Sequence, residues 1–169
     1  SGTLTLNNST VSVNIAVNGG GGGLQNSGAV SIRNTILAGN TANYGADCNG
    51  TISSSGYNLI GNNLDCTFSA TTGDLVGTSA NPIGPRLTPL QDNGGLTFTH
   101  ALMTSSVAIN AGSPAAPGSG SNTCLSADQR GVARPVGGRC DIGAYEGSVP
   151  FVPAPLVNTY TAEGSSFLP

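Results

Sequence analysis

Short apolar runs alternate with Asn, Ser, Thr and Gly along the first third of the chain. In VSVNIAV (residues 11–17), Val11, Val13, Ile15 and Val17 fall on one side of an extended backbone, and Ser12, Asn14 and Ala16 on the other. The period is two, the runs are too short for helices, and small turn residues separate them. The pattern therefore predicts short β-strands.

The pattern also recurs. LTLNNSTVSVNIA (residues 4–16) aligns with VSIRNTILAGNTA (residues 30–42) at an offset of 26. Leu4 falls on Val30, Leu6 on Ile32, Asn8 on Asn34, Ser9 on Thr35, Val11 on Leu37, Asn14 on Asn40 and Ala16 on Ala42. A weaker third copy, SSSGYNLIGNN (residues 53–63), sets Asn58 near Asn34 at an offset of 24. Copies of this length, each holding two or three short strands, predict a parallel β-helix whose coils stack about 4.8 Å apart. An unrelated β-sandwich with ordinary turn asparagines is the alternative. In the β-helix reading, Asn8, Asn34 and Asn58 form a ladder at a turn, each amide bonding to the next. NGGGGGLQNSG (residues 18–28) reads as the variable loop of its coil. It lacks the Asp of Ca²⁺-binding nonapeptide repeats and the helix start and Lys of a phosphate loop, so neither a metal nor a cofactor is expected.

From about Asp65 the repeat fades. Pro82, Pro85 and Pro89 cannot donate to a ladder, so residues 77–114 suit an edge or wrapping segment. Three regions result: residues 1–64 as β-helix coils, 65–147 as their continuation with a C-terminal cap, and 148–169 as an extended, Pro-containing tail. The first residues already read as strand, with no initiator Met or signal peptide, as expected of a mature product or of a fragment of a longer precursor.

Composition narrows the function classes. The 169 residues hold five Arg, no Lys and eight acidic side chains, for a net charge of −3. Such a chain has no basic patch to release counterions from phosphates, which argues against nucleic acid and anionic membranes as partners. No stretch reaches the roughly 18 apolar residues of a membrane span. Four cysteines in a chain of this kind point to an oxidising compartment and structural disulfides. Of the three possible pairings, the local one, Cys48 with Cys66 and Cys124 with Cys140, is expected.

Six of the thirteen charged residues gather in SADQRGVARPVGGRCDIGAYEG (residues 126–147). One reading is an active site, with Asp128, Asp141 or Glu146 as acid and base and Arg130 or Arg134 holding an anionic sugar. The favoured reading is an ion-pair knot of Asp128, Arg130, Arg134, Asp141 and Glu146. Guanidinium–carboxylate pairs fix geometry, and beside a Cys124–Cys140 link they would staple an irregular segment across the last coil. Tyr145 is expected to be a packed aromatic, and His100, the only histidine, a packed or surface residue.

PLQDNGGLTFTHALMTSSVAINAGSP followed by CLSADQRGVARPVGGRCDIGAYEG resembles the C-terminal half of bacterial surface and secreted proteins of the choice-of-anchor Q type. The resemblance implies a right-handed parallel β-helix on an exported protein and no catalytic reaction. The expectation is an extracellular or cell-surface structural protein, not an enzyme, whose copies associate end to end into a filament, sheath or surface layer. The tail would add to a neighbour. An adhesive module that binds surface glycans is the alternative. A polysaccharide lyase or hydrolase has less behind it, since the coils offer only Asp47 and Arg33 as charged groups, and only Tyr44 and Tyr57 as sugar platforms.

Overall fold

The computed structural model describes residues 2–147, and the tail of residues 148–169 lies outside the described residues. The fold is all-β. Its strands are β1 (Thr3–Asn7), β2 (Thr10–Val11), β3 (Ile15–Gly20), β4 (Leu24–Gln25), β5 (Ala29–Arg33), β6 (Ile36–Leu37), β7 (Thr41–Tyr44), β8 (Cys48–Ser54), β9 (Leu59–Ile60), β10 (Cys66–Ser69) and β11 (Leu75–Val76).

The repeats pair as parallel strands. Leu4 faces Val30 and Leu6 faces Ile32 between β1 and β5; Val11 faces Leu37 between β2 and β6; Ala16 faces Ala42 between β3 and β7. The 26-residue offset is thus the register of the first two repeats.

A continuous β-helix is not formed. The strands make three small, separate sheets of five, four and two strands, in the orders β1-β5-β8-β10 (with β4 beside β8), β11-β9-β6-β2 and β3-β7. The physical reason lies in the shrinking offset. Ile36 pairs with Leu59, 23 residues on, but Leu59 pairs with Leu75, only 16 on. The last round therefore has no counterpart of β3 and β7, and one side of the stack stops after two strands. Beyond Val76 the described chain holds only isolated antiparallel bridges, Leu87 with Leu102, Gln91 with Thr99 and Ala127 with Ala133. Regular pairing thus runs past residue 64, and residues 77–147 wrap the sheets instead of continuing them.

That wrapping explains the doublets Ile36-Leu37, Leu59-Ile60 and Leu75-Val76. Neighbouring residues of a strand point to opposite faces. Leu37 and Ile60 enter a core with Val30, Ile32, Cys48 and Ile52, while Ile36 and Leu59 pack on the other side against Ala108 and Ile142. The two central strands of the four-stranded sheet, β6 and β9, are buried on both faces, so they read as unbroken apolar pairs. Ile83, Leu87 and Leu102 complete the outer core, so the proline-rich segment does wrap the sheet.

The apolar face expected of residues 11–17 is corrected. Val13, Ile15 and Val17 are 65%, 69% and 74% exposed. β3 pairs only with β7, and nothing described covers either strand's outer face. The expected variable loop of residues 18–28 is partly strand, at the end of β3 and in β4. Residues 19 and 20 end β3, and a Cβ on Gly22 would run into the carbonyl oxygens of Thr41 and Ala46.

Val13 also sits at φ 61°, opposite Gly39 at φ 76° in the next repeat. The left-handed region costs an L-residue roughly 1–2 kcal/mol, and a β-branched one is an outlier there. Val13→Gly is expected to stabilise the fold by about 1 kcal/mol, because the exposed side chain contributes little packing. A urea midpoint at or below that of the wild type would refute this.

Candidate functional site

The charged stretch folds into one buried cluster. Asp128, Arg134, Asp141 and Glu146 are 8%, 6%, 0% and 1% exposed. Arg134 Nη1 donates to Glu146 Oε2 at 2.7 Å and to the Asp141 carbonyl at 3.1 Å, and Nη2 donates to the Gly143 carbonyl at 2.8 Å. Glu146 also accepts the Val136 N–H on Oε1 and the Asp141 N–H on Oε2. Arg130 donates Nε and Nη2 to Asp128 Oδ2 at 2.9 and 2.7 Å, and Nη2 reaches the Glu146 carbonyl at 2.6 Å. Its guanidinium lies 3.6 Å from the centre of the Tyr145 ring. Tyr145 is thus the packed aromatic, held by a cation–π contact.

Among the described residues, no arginine bonds the Asp141 carboxylate. Its two oxygens accept the N–H groups of Asn110 and Gly147 at 2.7 and 2.6 Å. Arg139 turns away from the cluster, donates to the carbonyls of Gly112 and Ala111, and lies over Tyr57.

The geometry sets the protonation states. Burial alone would raise the Asp128 carboxyl. The Glu146 N–H, the Arg130 guanidinium and the N–H groups of Val132 and Arg130 outweigh it and hold the carboxyl below its ordinary 3.8. Burial lowers Arg134, against the charges of Glu146, Asp128 and Asp141, yet a guanidinium stays charged. Burial pushes Asp141 up to about 6, with the Glu146 charge adding to it, against the hydrogen bonds from Asn110 and Gly147 and the Arg134 charge.

A carboxyl raised in the folded state binds its proton more tightly there than in the unfolded chain. Its contribution to stability is greatest below the unfolded value and falls as pH rises toward the folded one. Between pH 7 and pH 5 the fold is expected to gain about 1 kcal/mol from this group. Asp141→Asn should abolish that gain. Equal slopes of urea midpoint against pH in the two proteins would count against it.

Every carboxylate oxygen of the knot is occupied by a backbone N–H or a guanidinium. These bonds tie the segment to itself and to Asn110. The knot is closed by Cys124–Cys140, and Cys48–Cys66 links β8 to β10. The local pairing is therefore the one formed.

The position of the knot differs from the expected cap. Leu125 N–H donates to Asn8 Oδ1, Ser113 N–H to Asn34 Oδ1, and Ala144 N–H to Thr10 Oγ1. The segment lies along the turns of the first and second repeats, at the side of the sheets, and does not close the last round.

The expected asparagine ladder is corrected by the same bonds. Asn8 and Asn34 stand at φ 43° and 47°, but their side-chain oxygens hold the C-terminal segment and not one another. The third left-handed position is Tyr57, at φ 58°, and Asn58 falls one residue later. The ladder that does form is one step along. Ser9 N–H donates to Thr35 Oγ1, Thr35 N–H to Asn58 Oδ1, and Asn58 N–H to Asp74 Oδ1 at 3.4, 3.1 and 2.8 Å. A second one runs from Asn14 to Asn40 to Asp47.

The remaining candidates are occupied. Asp47 accepts from Asn40 and Asn62 and is not paired with Arg33. His100 Nδ1 lies 2.8 Å from the Thr88 carbonyl. The Tyr57 ring packs on Gly73 with Arg139 above it, and Tyr44 packs on Gly20. Among the described residues, no cluster of three or more His, Cys, Asp or Glu is placed to hold a metal ion, and no helix is long and apolar enough to cross a membrane. Comparison with protein families, curated proteins and solved structures finds no match to this chain.

Proposed function

We propose that this chain is an extracellular structural protein whose copies associate through strand edges into a filament, sheath or surface layer. One observation carries the reading. The consecutive strands β1, β2 and β3 all lie at the outer edge of their sheets. An edge strand turns half of its N–H and C=O groups away from its own sheet, and proteins that stay apart blunt such edges with Lys, Pro or other charges. The sequences TLTLN, TV and IAVNGG contain none of these. Exposed Leu4 on β1 and Ile15 and Val17 on β3 add apolar surface.

Other features support the reading. Two disulfides suit an oxidising compartment. The resemblance to choice-of-anchor Q proteins suggests an exported bacterial protein. The charged knot is consumed in holding the fold, which favours a structural role over an enzyme. Glycan binding has less behind it, since the Tyr44 and Tyr57 rings each pack on a glycine and Arg139 lies over Tyr57.

Negative-stain electron microscopy of the purified chain at neutral pH tests this. Ordered polymers are expected. Dispersed single particles across a wide concentration range would overturn the reading.

A further inference from the structure

The sequence of the tail contains a further copy of the repeat. Residues 156–162 read Leu-Val-Asn-Thr-Tyr-Thr-Ala. They align without a gap with Ile-Arg-Asn-Thr-Ile-Leu-Ala (residues 32–38) and with Leu-Asn-Asn-Ser-Thr-Val-Ser (residues 6–12). Asn158 falls on the two left-handed asparagines, Asn34 and Asn8. Thr159 falls on Thr35 and Ser9, the hydroxyls of the observed ladder. Leu156 extends the column of Ile32 and Leu6, which face each other in the parallel pair. These seven residues carry the chemistry of the β1–turn–β2 unit.

Among the described residues, the edge that such a unit fits is open. Ser9 Oγ donates to the Asn7 carbonyl at 3.0 Å, as Thr35 Oγ1 donates to the Arg33 carbonyl at 2.8 Å. Thr35 Oγ1 then accepts the N–H of Ser9 from the layer before it. Among the described residues, nothing donates to Ser9 Oγ. Both amide atoms of Asn7 and Asn8 Nδ2 are buried there without a partner. The first repeat therefore offers to a preceding layer the same acceptor by which the second repeat holds the first.

We propose, resting on the self-association just described, that residues 156–162 of one copy add as a parallel strand–turn–strand unit to the β1–β2 edge of a second copy, with Asn158 over Asn8. Thr159 N–H donates to Ser9 Oγ, and Leu156 covers Leu6. This is strand addition, with main-chain bonds supplying affinity and the Asn-hydroxyl pair fixing register.

The spacer argues for a second copy over the chain's own edge. Residues 148–155 contain Pro150, Pro153 and Pro155. Such a composition favours stiff, extended backbone of about 3.1 Å per residue, or roughly 25 Å in all. The chain leaves the knot at Gly147, three residues after Ala144, which already bonds Thr10 of that edge. A spacer of this composition and length matches so close a target poorly, and a poor match of linker to span lowers the local concentration. Each copy then gives a tail and receives one, and a head-to-tail contact that does not close makes a filament.

The test uses the full chain, Thr159→Ser, and Thr159→Pro, which removes the N–H that Ser9 Oγ would accept. Sedimentation velocity over a hundredfold concentration range and hydrogen exchange at residues 4–11 are the readouts. In the wild type and Thr159→Ser, mass is expected to rise with concentration and edge amides to slow at least tenfold as it rises. Thr159→Pro should lose both effects. A mixture of Thr10→Cys chains with Tyr160→Cys chains should form a mixed disulfide dimer. Undiminished assembly of Thr159→Pro would overturn the tail contact and leave self-association standing. Edge amides protected in the monomer, with the Thr10→Cys/Tyr160→Cys chain closing on itself, would overturn the second copy in favour of the chain's own tail. A chain that stays monomeric with unprotected edge amides would overturn both this contact and the function proposed above.

Discussion

Arg134→Met is expected to destabilise the fold by about 3–5 kcal/mol, because it strands a buried carboxylate. Glu146 and the Arg134 side chain are both without solvent exposure and 2.7 Å apart. After the change Glu146 keeps only the N–H groups of Val136 and Asp141, and the carbonyls of Asp141 and Gly143 lose their donor. The cost comes from the partners left unpaired more than from the net worth of the pair. The same replacement in a Glu146→Gln background should therefore cost less by at least about 1 kcal/mol, a coupling read from a double-mutant cycle in urea at pH 7. A single-variant cost below about 1 kcal/mol would mean that water enters and replaces the guanidinium, and that the knot is not a staple.

Removal of the Cys124–Cys140 bond, by replacing both residues with Ser, should cost about 3 kcal/mol and loosen residues 108–147 before the sheets. The bond closes 16 residues of chain that contain Asp128, Arg130 and Arg134. Those residues form little regular structure of their own, so their unfolded freedom is large and the crosslink removes much of it. Both sulfurs are buried, and Gly112 packs directly against them. Hydrogen exchange resolves the claim. Amides of Gly112, Arg134 and Ile142 should lose protection while those of Ile32, Ile36 and Leu37 keep it. Equal loss in both sets would show that the segment and the sheets unfold as one unit.

Much of this site was legible because its signals are local. Charge is so scarce that residues 126–147 stand out, and their paired signs announce a knot. The 16-residue spacing of Cys124 and Cys140 favours the bond that forms. What the charges attach to is not local. Asn8 and Asn34 look like members of a ladder because they recur at one offset, yet they hold Leu125 and Ser113, far along the chain. Asp141 reads as one more ion-pair partner, but its carboxylate accepts from the backbone N–H groups of Asn110 and Gly147. No spacing rule reports which carboxylate an arginine will choose when three lie within its reach.

The amino-acid sequence by itself determined the strands of the first two repeats, their parallel register and the disulfide pairing. Each rests on a short-range pattern: alternation, a fixed offset, a turn residue, a loop length. Only the tertiary structure decided that the stack breaks into separate sheets and that the doublets at Ile36 and Leu59 bury both faces. It also decided that Val13, Ile15 and Val17 face outward and that the knot lies beside the first repeats. The reason is one of partners. A residue's face is set by what packs against it, and here the packing partner of the four-stranded sheet is an irregular segment, residues 77–147. Its apolar residues, such as Ala108 and Ile142, follow no period that would reveal them.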